Sequence, residues 1–245
     1  MPQADLHVYT TSHLFEKMQA VLSDLRAKNP GWRTALDVPA GAGAFTRFLA
    51  EDLNLKTEAS DIDPSKWTYK KVKAAKADLG RKLPYGDRKF DLVVCLEGIK
   101  HVSDATAAIK ELGRVLKPGG TLVLTIPNDL CLETRLNYFF NGFVDTDWKL
   151  MDVGDENVKS YLYVRSLVHL PYLYFFLDEN NLQLTASYAS RHRNFSLFLM
   201  GLLYPFIWLR TRKAIPKGHP LRQHMLSKTW LTGRHCIIVC EKRAG

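Results

Sequence analysis

Apolar positions recur at helical spacing in "SHLFEKMQAVLSDLRAK", where Leu14, Met18, Val21, Leu22 and Leu25 share one face and "NPG" ends the run. The pattern predicts an N-terminal helix over 12–30. Beyond it, short apolar runs alternate with amphipathic ones. Strands are expected at Thr34–Val38, Leu55–Ser60, Ala74–Ala77, Phe90–Leu96 and Thr121–Ile126, and helices at Phe45–Glu51, Ser65–Lys71 and Ala105–Leu116. Such alternation argues for a parallel sheet covered by helices, an open doubly wound α/β fold. Past Pro127 it stops: Asn128 to Phe176 is aromatic-rich and reads as irregular. A sheet signal returns with "LQLTASYA" and later with "RHCIIVCEK". No internal repeat is present.

Open α/β sheets bind ligands beyond the carboxyl ends of their strands. Asp37, Asp61, Asp78 and Glu97 all fall at or just past such ends. The stretch "ALDVPAGAGAF" places a small-residue turn between a strand and a helix, which exposes backbone N–H groups next to the Asp37 carboxylate. A dinucleotide fold wants G-x-G-x-x-G directly after the strand. Here Pro39 stands near that place, and Asp37 would repel a pyrophosphate. A carboxylate there suits a ligand carrying an ammonium instead.

"ALDVPAGAGAF" resembles the first motif of class I S-adenosylmethionine-dependent methyltransferases, and further motifs follow in that family's order. "ASDIDPS" is similar to the end of the second strand, where the resemblance implies that Asp61 takes both ribose hydroxyls. "KADLGRKLPYGDRKFDLVVCLEGIKHV" matches the run in which Asp78 and Leu79 would contact adenine. "ELGRVLKPGGTLVLTIPN" resembles the helix, turn and fifth strand. The likeness covers Thr34 to Asn128. It implies a Rossmann-like, seven-stranded sheet, mostly parallel with an antiparallel last strand and helices on both faces. The implied cofactor is S-adenosylmethionine, held by Asp37, Ala40, Gly41, Gly43, Asp61, Ile62, Asp78, Leu79, Leu96 and Glu97. One domain is expected over 1–245: a cofactor half at 31–128, a substrate cap at 129–190, and a basic apolar segment with a final edge strand at 191–245.

"CLEGIKHV" resembles a stretch of ubiquinone-pathway O-methyltransferases in which two Glu and a His help hold a divalent metal. Glu97 and His101 match, but Lys100 replaces the second Glu, and an ammonium beside a dication is unfavourable. No metal is expected. His101 is the first candidate base, facing the sulfonium methyl; the alternative is a histidine at a helix start or surface. His169 in "LVHLPYLYFF" is the second, with packing in an aromatic loop as its alternative.

Charge changes the picture only at the tail. The net charge is +9, but from Arg191 onward eleven Lys/Arg face one acid, so the preceding residues sum to −1. This distribution argues against nucleic acid as partner. In "RHRNFSLFLMGLLYPFIWLRTRK" no charge stands between Arg193 and Arg210; as a helix it is too short for a bilayer core, and Pro205 interrupts it. Basic flanks around aromatic residues suit peripheral membrane contact through 194–213, with a core helix or a dimer interface as alternatives. The C-terminal arrangement loosely resembles methyltransferases of bacterial surface-glycan assembly. It implies O-methylation of a sugar or lipid-linked glycan at the cytoplasmic membrane face. Alternative acceptors are a quinone-like or other small molecule, or RNA. The cysteines form neither a zinc nor a disulfide pattern, and the N-terminus lacks a secretory signal, so a reducing cytoplasm is expected.

Overall fold

The computed structural model describes residues 12–142, 166 and 168–244. Seven strands form one sheet: β1 (Thr34–Asp37), β2 (Lys56–Asp61), β3 (Ala74–Lys76), β4 (Phe90–Cys95), β5 (Leu116–Pro127), β6 (Leu182–Ala189) and β7 (His235–Lys242). Their order is 3-2-1-4-5-7-6. β3, β2, β1, β4 and β5 pair in parallel, while β7 runs antiparallel to both β5 and β6. The last strand is thus interior, not the edge strand expected, and the edge falls to β6.

Alternate residues of each strand feed opposite faces. Leu36, Val93, Leu122, Leu124 and Ile238 pack on one face against α3 (Ala105–Val115) and α5 (Leu170–Glu179). Ala35, Leu92, Val94, Val123 and Ile237 pack on the other against α1 (Ser12–Lys28) and α2 (Ala44–Arg47), which continues through a π turn to Asp52. Both faces are covered, so the central strands read as unbroken apolar runs. Leu14, Met18, Val21 and Leu22 are the buried side of α1, as their spacing predicts.

Two further expectations change. The helix expected at Ser65–Lys71 is only a 3-10 turn at Pro64–Lys66. Trp67 is extended beyond it, Thr68 N–H donates to Ala42 O (3.1 Å), and the indole of Trp67 donates to Val72 O (2.8 Å). These bonds lay the segment across the first loop and leave no i,i+4 ladder. The stretch Asn128–Phe176, read as irregular, contains α4 (Leu132–Asn141) and the start of α5. Leu170, Leu173 and Leu177 are the buried stripe of α5, while Tyr172 and Phe175 face outward. With both faces apolar, the helical period was masked.

The tail segment forms α6 (Asn194–Ala214), followed by two short helices, α7 (Pro220–Met225) and α8 (Lys228–Thr232). Leu199, Met200, Leu203 and Ile207 pack α6 against Leu132, Leu136 and Leu231. Phe195, Phe198, Leu202, Phe206 and Leu209 lie exposed along the other side. A core helix is therefore excluded. No helix among the described residues is long and apolar enough to cross a membrane.

Asn128, buried at the end of β5, fixes the turn that enters β7. Its side-chain amide donates to Trp230 O (3.0 Å) and Gly233 O (2.8 Å), and its Oδ1 accepts from Leu130 N–H (3.1 Å). Truncating it leaves buried carbonyls unpaired. Asn128→Ala is expected to lower unfolding free energy by about 1–3 kcal/mol, measured by urea denaturation; an unchanged midpoint would show the turn to be held otherwise.

Candidate functional site

The first loop is built around a bond between two strand ends. Gly41 N–H donates to Asp61 Oδ2 (2.8 Å), and Asp63 N–H donates to Asp61 Oδ1 (2.9 Å). Gly41 has φ +56, in the left-handed region that glycine tolerates best. Ala40 N–H donates to Ser60 O (3.0 Å), which pins the loop to β2. The carboxylate thus stands at the switch point where β1 has β2 on one side and β4 on the other.

A cleft of about 980 Å³ opens there. Of the expected site residues, Gly41, Asp61, Ile62, Asp78, Leu79, Leu96, Glu97 and His101 line it. Asp78 Oδ1 accepts from Gly80 N–H (2.8 Å), which holds the turn after β3. His101 closes the 3-10 turn Ile99–His101 after β4.

Four expected residues lie elsewhere. Asp37 does not face the cleft: its side chain turns beneath the loop, where Oδ2 accepts the Thr46 hydroxyl (2.6 Å) and Oδ1 is buried without a hydrogen-bond partner. Through Thr46 it anchors the start of α2. Ala40 is buried against Ser60. Gly43, at φ +95, packs so closely that a Cβ there would sit 2.9 Å from the Cβ of Tyr69, and it is not part of the cleft lining. His169 precedes α5, with Nδ1 3.7 Å from Asp129 Oδ2, too long for a hydrogen bond, and is not among the residues lining the cleft.

Glu97 adopts φ +54, a strained conformation for a residue with a Cβ. Three contacts hold it: its N–H donates to Thr125 Oγ1 (2.8 Å), its Oε1 accepts from the same hydroxyl (2.9 Å), and Lys100 Nζ donates to Oε2 (2.6 Å). Burial works against its ionisation, but Lys100, then His235, and the bonds from Lys100 and Thr125 outweigh it and hold the carboxyl below its ordinary range. The cation beside Glu97 is therefore an ammonium. No group of three or more His, Cys, Asp or Glu suited to a metal ion occurs among the described residues.

Arg234 and His235 also line the cleft and were missed. The signal was in the topology: an antiparallel last strand must begin where parallel strands end, and Pro127 pairs with His235. Burial, the largest effect, lowers the His235 pKa against the opposing pull of Glu97, while Lys100, Arg234 and Arg193 lower it further. Its imidazole is neutral at neutral pH.

Burial pushes the Asp37 carboxyl up to about 7, with Thr46 opposing and Asp61 adding to the rise. Between its ordinary value of 3.8 and about 7 the folded state keeps a proton that the unfolded state has released. Stability should therefore fall as pH rises through this window and level off above it. Asp37→Asn, which keeps an acceptor for Thr46, should remove a slope of at most about 1.4 kcal/mol per pH unit. Urea unfolding at pH 5, 6, 7 and 8 measures this; parallel wild-type and variant profiles would contradict it.

Residues 36–124 match the methyltransferase domain family. A demethylmenaquinone methyltransferase of Staphylococcus epidermidis is 35% identical over 109 residues, 41% of this chain and 42% of that protein. The chain thus spans less than half the length of that relative. A solved SAM-dependent methyltransferase of Archaeoglobus fulgidus superposes with a TM-score of 0.58 at 15% identity, over 93% of this chain and 94% of the other. The 1,6-didemethyltoxoflavin-N1-methyltransferase of Burkholderia thailandensis, solved with its substrate and S-adenosylhomocysteine, gives 0.54 at 11% identity, over 95% and 79%. These structures share the fold, and the strand order and the domain match agree with it. Residues 36–124, a little over a third of the chain, thus match the methyltransferase domain family, and the whole sheet has the fold of the solved methyltransferases.

Proposed function

We propose that this chain transfers the methyl group of S-adenosylmethionine to a lipid-borne ring acceptor of the quinone class. The observation that carries the reading is the cleft clasped by Gly41 and Asp61 within a methyltransferase domain. An ionised carboxylate offers about four acceptor sites, and two on Asp61 are taken by backbone N–H groups. The remaining two suit a diol, which is what a ribose presents. Gly41 adds no side chain between loop and ligand, and Asp78 with Leu79 walls the far end, where an adenine fits.

When bound, S-adenosylmethionine supplies a methyl on a cationic sulfur, which is already a good leaving group. The chain's task is alignment of the acceptor and a place for its proton. His101 and His235, on different elements of the cleft wall, are the imidazole candidates for that proton.

The acceptor class rests on the demethylmenaquinone methyltransferases similar to this chain in its cofactor half, and on the surface of α6. The surface-glycan acceptor expected from the tail has no support among those relatives, so the quinone class takes its place. RNA is disfavoured because the exposed aromatic stripe carries no interleaved Lys or Arg between Arg193 and Arg210. That stripe, with Phe139 and Phe140 exposed on the neighbouring α4 and Arg210, Arg212 and Lys213 at the end of α6, suits the surface of an anionic bilayer.

Asp61→Ala should weaken S-adenosylmethionine binding by about 1.5–3 kcal/mol in isothermal titration. Unchanged affinity would remove the ribose assignment, and a labelled-methyl assay against membrane quinone extracts tests the acceptor. Phe198→Ser with Phe206→Ser, at positions 67% and 69% exposed, should leave the fold intact. The pair should weaken partitioning onto anionic vesicles by about 1.5–3 kcal/mol per ring that had been buried in lipid. Flotation reads this directly, and wild-type protein that never floats would refute the membrane surface.

A further inference from the structure

We propose that Arg191 and Arg234 form a subsite for a phosphate ester at the acceptor end of the cleft. The inference goes beyond the methyl-transfer reading and rests on it only in calling this end of the cleft the acceptor end. The β6–β7 register ends with Ala189 opposite Cys236, but the pairing continues past it. Ser190 N–H donates to His235 O (3.0 Å), Arg234 N–H to Arg191 O (3.0 Å), and Arg193 N–H to Thr232 O (2.7 Å), around a bridge between His192 and Gly233. Arg191 therefore stands directly opposite Arg234.

Side chains of a directly opposed pair project to the same face of a ladder, and Arg193, two residues along, shares it. Three guanidiniums thus gather where β7 begins. Like charges directly opposed are destabilising. Burial, and then Arg191 and Arg193, depress the Arg234 pKa. Arg193 has a carboxylate, Glu133 Oε1 at 3.1 Å. Among the described residues neither Arg191 nor Arg234 has one, and the ammonium nearby, Lys100, is taken by Glu97. Among the described residues this local rule is broken with no compensating acid, which marks candidate functional positions.

Arg234 lines the cleft beside His235 and Lys100, so the uncompensated charge faces the space that an acceptor would occupy. Guanidinium forks bind phosphate oxygens in pairs. Two positive charges match a doubly charged phosphate better than a singly charged carboxylate. The phosphate belongs either to the acceptor itself or to a phospholipid headgroup at the cleft mouth.

The test is titration of the full chain with inorganic pyrophosphate. Wild type should bind it; Arg234→Gln and Arg191→Gln should each bind about tenfold or more weakly, the scale for a lost charged hydrogen bond. Arg234→Lys should recover part of the loss. S-adenosylmethionine affinity should stay at the wild-type value in all three, which also reports an intact fold. Phenylglyoxal labelling of the two arginines, mapped by peptide mass spectrometry, separates the sources. Protection by pyrophosphate alone assigns the phosphate to the acceptor, and protection by phosphatidylglycerol vesicles as well assigns it to a headgroup; either supports the subsite. Wild type that neither binds pyrophosphate nor is protected by either agent would overturn it. A wild type that binds pyrophosphate but not S-adenosylmethionine would instead defeat the methyltransferase reading alone.

Discussion

A strand that runs against its neighbours begins at the edge where they stop, and β7 does this between β5 and β6. Its direction decides what the cleft contains. Parallel strands deliver only their carboxyl-terminal loops to that edge, here the turns after β1, β2, β3 and β4. The reversed strand adds its own first residues, Arg234 and His235, facing a cleft otherwise lined by the first half of the chain. Asn128 makes the join possible by satisfying the carbonyls of the turn that leads into β7. Without that amide, buried backbone at the turn would lack partners, and the entry of β7 would lose its fixed position.

This arrangement brings charges of both signs into the cleft lining. Asp61 and Asp78 come from the turns after β2 and β3, with Arg81 3.5 Å from Asp78, while Lys100 follows β4 and Arg234 and His235 enter with β7. Glu97 is paired with Lys100. Its left-handed backbone costs free energy, yet Thr125 and Lys100 hold it from two sides. The effect is to spend the Lys100 charge internally, while Arg191 and Arg234 of the β6–β7 ladder have no carboxylate partner among the described residues. The proposed division of labour follows from that: Asp61 takes hydroxyl donors, the guanidiniums take an anion, and the imidazoles of His101 and His235 are the candidate proton acceptors.

Much of this was legible in the chain. Alternating apolar runs gave the parallel core because each strand feeds two covered faces, and the strand-end acids located the cleft because side chains there point past the sheet. Asp61 could be placed that way. Asp37 could not, since whether a strand-end carboxylate looks outward or folds under the loop depends on a partner nine residues on, Thr46. At Gly43 the absence of a side chain also answers to Tyr69, a neighbour that the sequence does not place. The segment after Pro64 lost its helix to bonds with Ala42 and Val72, which only the folded loop supplies. Arg234 and His235 were hidden for a different reason: they sit far along the chain, and only the direction of β7 brings them in.

The same ladder that opposes Arg191 and Arg234 also sets where α6 starts. Arg193 ends the pairing with Thr232 and pairs its side chain with Glu133 on α4. From there α6 runs with Leu199, Met200, Leu203 and Ile207 against the domain, so Phe198, Leu202 and Phe206 are forced outward. Turning the helix to bury those rings would strip the inner stripe from Leu132 and Leu231. The exposed aromatic face and the basic rim of the cleft are thus geometrically coupled through one short stretch of backbone, 190–194. An acceptor held in a bilayer would meet the rings and the guanidiniums in a fixed relation. That coupling is what makes a lipid-borne acceptor the physically economical reading of a chain whose charge is concentrated after residue 190.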